Sequence, residues 1–192
     1  MNIFVLDNDP RRAAEYHCDK HVVKMILESA QMLCTAHWIG WARLLKAPPM
    51  KQKDLQQWLY KHVPKDQQPP WKMTHVNHPC TQWTQEVWGN YFWHSRLGLA
   101  LCDVYTERYG KVHKSHEVHR WLNRHIPPTF PRTVENPVGM TPFAQAMPDE
   151  CKVEGDAVEA YRNYYRTHKT RLARWAYSEK PVWFTQTKQE TL

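Results

Sequence analysis

Around residues Cys18 to Thr35 the chain reads CDKHVVKMILESAQMLCT, and its polar and apolar positions recur at helical spacing. At about 100° per residue, His17, His21, Lys24, Glu28, Gln31 and Thr35 fall within an arc of roughly 80°, which Lys20 widens to about 100°. Apart from Ser29 the rest of the circumference is apolar: Val22, Val23, Met25, Ile26, Leu27, Ala30, Met32, Leu33 and Cys34. A surface helix normally carries a broader polar face. The pattern therefore predicts a helix from Lys20 to about Trp38, capped by Asp19 and buried on most of its sides, whose narrow polar stripe reaches solvent through a slot or lines one.

The same reading places other elements along the chain. Asn2 to Leu6 suits a short strand or an extended lead-in, and Asp9-Pro10 suits a helix N-cap followed by proline at the first helical position. Residues 46–79 hold Pro48, Pro49, Pro64, Pro69, Pro70 and Pro79 and form an irregular excursion with one helical piece near Lys53 to His62. Helical signal runs from Pro79 to Tyr109, broken near Gly89-Asn90 and stopped at Gly110. Ser115 to His125 predicts a short helix, residues 126–150 a second Pro-rich loop, and Asp156 to about Tyr177 the last helix. The fold class expected is all-α: a single domain of five to six helices with two long loops.

Composition narrows the class. The chain has 192 residues, 42% hydrophobic and 23% charged, a globular balance that suits one domain. No apolar run approaches the ~18 residues of a membrane span, and the N-terminus lacks the charge order of a secretory signal. The five cysteines form no CxxC pair, which suits free thiols in a cytoplasmic protein. A formal charge of +7 together with ten Trp, nine Tyr and twelve His favours a polyanion with rings to stack on, nucleic acid rather than a membrane surface.

Candidate chemistry follows from the stripe. Lys24 and Glu28 are four residues apart, a spacing that serves either a solvated ion pair or a carboxylate beside an amine, able to stabilise a cationic transition state or activate water. His17 and His21 share a face in zinc-ligand spacing, but no glutamate lies between them and the pattern offers no third ligand, so no metal or other cofactor is predicted. Arg162, Arg166 and Lys169 lie within about 60° on the last helix and would follow successive phosphates; Arg108 belongs to a second basic and aromatic cluster from Tyr105 to Lys114.

Lys24-x3-Glu28-x2-Gln31-x-Leu33, then His78-Pro79-x3-Trp83, then Asn90-Tyr91 running to Cys102-Asp103-Val104-Tyr105 and Arg108-Tyr109-Gly110, resembles the pyrimidine-dimer DNA glycosylases of the phage endonuclease V type. The late blocks TPFAQAMPDE and AYRNYY are similar to a phage-encoded branch of that family. The helical match covers under a third of the chain, about residues 17–35 and 77–110. The resemblance implies an all-α fold, double-stranded DNA as partner in a host cytoplasm, and excision of a damaged or modified pyrimidine by cleavage of its N-glycosidic bond. Glu28 would be the essential carboxylate, with Lys24 and His21 beside it. Lys20, Gln31, His78 and Asn90 would bind the substrate, and Arg108, Arg162, Arg166 and Lys169 its phosphates. Family members use the α-amine of a small residue exposed by removal of the initiator methionine. Here Asn2 follows Met1, which suits such removal poorly and makes Lys24 a substitute amine. Two other readings share these residues: a nucleotide- or base-modifying transferase of phage DNA modification, and a non-catalytic DNA-binding accessory protein.

Overall fold

The computed structural model of the protein describes residues 1–131 and 139–185. Part of the second expected loop and the end of the tail lie outside the described residues. Among the described residues the chain is all-α, with eight helices and no strand. They are α1 (Pro10–Tyr16), α2 (Asp19–Leu44), α3 (Gln52–His62), α4 (Pro79–Thr84), α5 (Trp88–Tyr109), α6 (His116–Arg124), α7 (Ala157–His168) and α8 (Val182–Thr185). None is long and apolar enough to cross a membrane.

Two long helices organise the rest. α2 packs on α5, α1 packs on α5, and α4, α6 and α3 pack on α2. The main core joins Val22, Met25, Ile26 and Met32 of α2 to Leu97, Leu101 and Val104 of α5, and takes in Ile3 to Leu6 of the extended N-terminus. A second cluster sets Ala30, Leu33 and Cys34 of α2 against Leu122 of α6, and a third sets Trp38 against Leu59 of α3. At Gly98 the α5 backbone lets the His119 ring approach so closely that a Cβ would stand 2.3 Å from it. His119 Nε2 meets the Ile26 carbonyl at 2.8 Å, which fixes α6 to both long helices.

Element starts and stops follow local chemistry with three shifts. Asp9 caps α1 by accepting from the Arg12 amide, and Gly110 ends α5 in the left-handed region at φ 64°. The N-cap of α2 is Cys18, not Asp19, and the helix continues past Trp38 to Leu44. The break before α5 falls at Gln85–Val87, and Gly89 lies inside the helix, where a Cβ would strike the Gly139 carbonyl. α7 ends at His168, not near Tyr177, since the chain beyond it turns back to cap α2: the Asp19 amide donates to the Arg174 carbonyl and the Ala176 amide to Asp19 Oδ2.

Candidate active site

The polar stripe of α2 is the wall of a cavity of about 270 Å³. Lys20, His21, Lys24, Met25 and Glu28 form one side; Met1, Asn2 and Phe4 form another; Tyr164, Lys169 and Leu172 close it from α7 and the segment after it. The α2 arc is buried as its pattern predicts except at Val23 and Leu27, which are 41% and 44% exposed. Two apolar residues thus stand in solvent beside the polar stripe.

The N-terminal residues are folded into this wall by Asn2. Its Oδ1 accepts from the Ile3 and Phe4 amides at 2.8 and 3.2 Å, a local turn that asparagine favours. Its Nδ2 donates to the Ala146 carbonyl at 2.7 Å, so the TPFAQAMPDE segment anchors the turn. Phe4 sits at φ 39°, a region costly for a residue with a bulky side chain and usually held only where the surroundings enforce it. Its ring stacks on His21 with centroids 4.3 Å apart.

That turn delivers the Met1 amine to 3.7 Å from Glu28 Oε2, while Lys24 Nζ lies 3.3 Å from Oε1. Glu28 is 9% exposed, and its Oε2 is shut from solvent with no hydrogen-bond partner among the described residues. Buried polar atoms are almost always hydrogen-bonded, and among the described residues Glu28 Oε2 is the one buried carboxylate oxygen without such a bond, its ion-pair partner the Met1 amine. The two amines differ in setting. The Met1 amine faces the Glu28 oxygen that lacks a hydrogen bond, its side chain 4% exposed, whereas the Lys24 side chain is 64% exposed at the rim of the cavity.

His21 lines the same cavity. Its Nδ1 and the Tyr165 hydroxyl are 2.5 Å apart. Burial, with smaller contributions from the charges of His17, Lys169 and Lys24, holds its pKa down to about 3. At neutral pH it is an uncharged ring that can hydrogen-bond a substrate without adding positive charge. His78 caps α4 by accepting from the Cys80 amide, and lies near enough to Met1 and Glu28 to feel both charges. Burial first, then the Met1 ammonium, lowers its pKa; Glu28 and a bond to the Met1 backbone work against this. His78 therefore supports Met1 from behind.

The other expected residues divide cleanly. Lys20 and Lys169 stand at the cavity with Lys24, Lys169 with its Nζ 4.4 Å from the centre of the Tyr164 ring. Gln31 faces a neighbouring groove. Asn90 is fully buried and its carboxamide is occupied: Nδ2 donates to the Trp83 carbonyl and Thr141 Oγ1, and Oδ1 accepts from the Thr141 amide. It latches α5 to a loop, which removes it from substrate contact.

The three arginines expected on phosphates are spent inside the protein. The Arg108 guanidinium donates to the carbonyls of His17 and Glu15 and to Asp19 Oδ1. Arg162 donates twice to the Leu6 carbonyl and lies against the Tyr16 and Trp183 rings. Arg166 bonds Glu159, Asn163 and the Trp183 carbonyl. The cationic strip read from the last helix is thus reduced to Lys169, and the positive rim is made of lysines.

His17 and His21 do not form a metal pair. His17 is fully buried with Nδ1 on the Ala13 carbonyl, and His21 Nδ1 is taken by Tyr165. Among the described residues one trio of metal-ligand types converges, Glu150, Cys151 and His168, and none of them lines the cavity. No protein-family model matches the chain, and no curated protein and no solved structure is significantly similar to it.

Proposed function

We propose that the protein is a DNA base-processing enzyme, an N-glycosylase that removes a damaged or modified pyrimidine. The observation that carries this reading is the buried Glu28 carboxylate, one oxygen without a hydrogen bond, held between two amines on the floor of a cavity rimmed by lysines. Cleaving a nucleoside C1′–N bond builds positive charge on the sugar, and a desolvated carboxylate aimed at that carbon stabilises it strongly. The cavity must receive the nucleotide outside the base stack, as enzymes acting on bases within DNA generally require.

An amine beside the carboxylate supplies a nucleophile. The Met1 ammonium gives a proton to Glu28 and the freed nitrogen bonds to C1′ as the bond to the base breaks; the base leaves with the electron pair and takes that proton from Glu28, which then accepts a second proton from the nitrogen, to be passed to O4′. Opening of the sugar ring then gives an imine. The Met1 amine lies against the Glu28 oxygen that has no hydrogen-bond partner, which favours it over that of Lys24 for this role. Uncharged His21 is placed to orient the base, and Lys20, Lys24 and Lys169 to hold the flanking phosphates.

Duplexes carrying different modified pyrimidines test the reading: at least one should yield free base detectable by mass spectrometry. Three lysines on phosphates give a binding slope near −2.7 in log K against log salt, at ~0.9 per contact. A modifying transferase acting on free nucleotides would instead be inhibited by mononucleotides almost independently of salt. An accessory DNA-binding protein would keep the slope and release no base from any duplex.

A further inference from the structure

A second cavity, of about 520 Å³, opens on the same helix immediately beyond the first. Leu27 and Gln31 of α2 form its near side, and Tyr60, Trp71 and Lys72 the far side. Lys24 at the first cavity and Gln31 at the second are two turns apart, about 10 Å along the axis, close to the rise of three nucleotides of one strand. We infer that this groove is a binding subsite for a nucleotide about three steps along the strand from the one held over Glu28, its base laid against Trp71 and Tyr60 and its phosphate met by Lys72. The inference rests on the DNA reading above and extends it to the strand beside the target.

Three features support a subsite over an incidental hollow. First, its aromatic wall is built in advance. The Trp38 indole donates to the Trp71 carbonyl at 2.7 Å, the Met73 amide donates to Gln56 Oε1 at 2.6 Å, and Thr35 Oγ1 bonds both the amide and the carbonyl of Thr74 at 2.9 Å. Tyr60 is held edge-on against buried Trp38 with centroids 5.1 Å apart. A preset platform spares a ligand the cost of ordering it. Second, Tyr60 and Leu27 are large apolar groups left 42% and 44% exposed, next to an exposed lysine. Flat rings beside a cation are what an unstacked nucleotide recognises, whatever its sequence. Third, the groove continues the α2 surface that carries Lys20 and Lys24, so one strand meets positive charge in both cavities.

The test uses the full chain, a fluorescein-labelled single-stranded tetranucleotide, the same label on a duplex, and thymidine monophosphate as a probe of the first cavity. Trp71→Ala should weaken both labelled DNAs about tenfold, the loss of one base stack, and leave mononucleotide affinity within about twofold. Trp71 also touches the second core cluster, so exposed Lys72 provides an independent variant: Lys72→Gln should reduce the tetranucleotide's salt slope by about 0.7, one contact on a single strand. DNA affinity and slope unchanged in both variants would overturn the subsite while leaving the Glu28 reading intact. Absence of DNA binding by the wild-type chain would overturn both.

Discussion

Replacing Glu28 with glutamine is expected to lower base release at least a thousandfold while DNA affinity stays within about threefold. Glutamine keeps the shape and the hydrogen-bonding oxygen but removes the negative charge on which the transition state depends. Losing one preorganised electrostatic group typically costs a factor of about 10²–10³ in turnover, and here the same group also serves the amine, which raises the expectation. In the proposed reading binding rests on the lysines at the rim, and loss of one floor anion is not expected to weaken their hold on phosphates. Thermal denaturation checks that the cavity survives: Oε2 has no hydrogen-bond partner among the described residues, and the exposed Lys24 pair contributes only about half a kcal/mol. Activity retained in Glu28→Gln would reduce the Lys24–Glu28 pair to a structural role.

Mild acid should unfold the protein. Burial holds five histidines below the ordinary imidazole pKa, His17 and His119 at about 4 and His21, His37 and His94 at about 3. In the unfolded chain each would take up its proton near pH 6.5. Between those values the unfolded state binds more protons than the folded one, so stability falls as pH falls from about 6.5 toward 4. At pH 5 each site opposes folding by about 2 kcal/mol, and the five together by roughly 10 kcal/mol, comparable with the whole stability of a domain of this size. An acid titration followed by circular dichroism should show cooperative helix loss with a midpoint between about pH 4 and 5. Full helicity at pH 3.5 would refute this account of the core.

The α2 stripe was legible because its spacing encodes burial directly. Three of the six side chains in that arc, His21, Lys24 and Glu28, line the cavity, and with Lys20 and Met25 this helix supplies five of its residues. What the pattern misplaced at Val23 and Leu27 depends on a neighbour that sequence does not supply: among the described residues both stay exposed. The arginines were misread for a related reason. A guanidinium suits a phosphate or a pair of backbone carbonyls equally well, and only the fold shows that Arg108 and Arg162 hold carbonyls at the corner between α1 and α2 and in the N-terminal segment. The end of α7 was overridden by tertiary bonds that the Thr170 to Tyr177 sequence does not announce. Met1 carried no periodic signal. The clue lay in Asn2, whose turn-forming side chain aims the amine, and in the TPFAQAMPDE segment that receives it.

In the proposed reaction Glu28 and the Met1 amine 3.7 Å from it act together on a sugar carbon. Borohydride reduction during turnover, followed by peptide mass spectrometry, tests it most directly. A duplex whose base is released should leave a reduced sugar adduct on the peptide carrying Met1, at its α-amine, and Glu28→Gln should leave none. Base release with no adduct, or an adduct confined to Lys24, would contradict it.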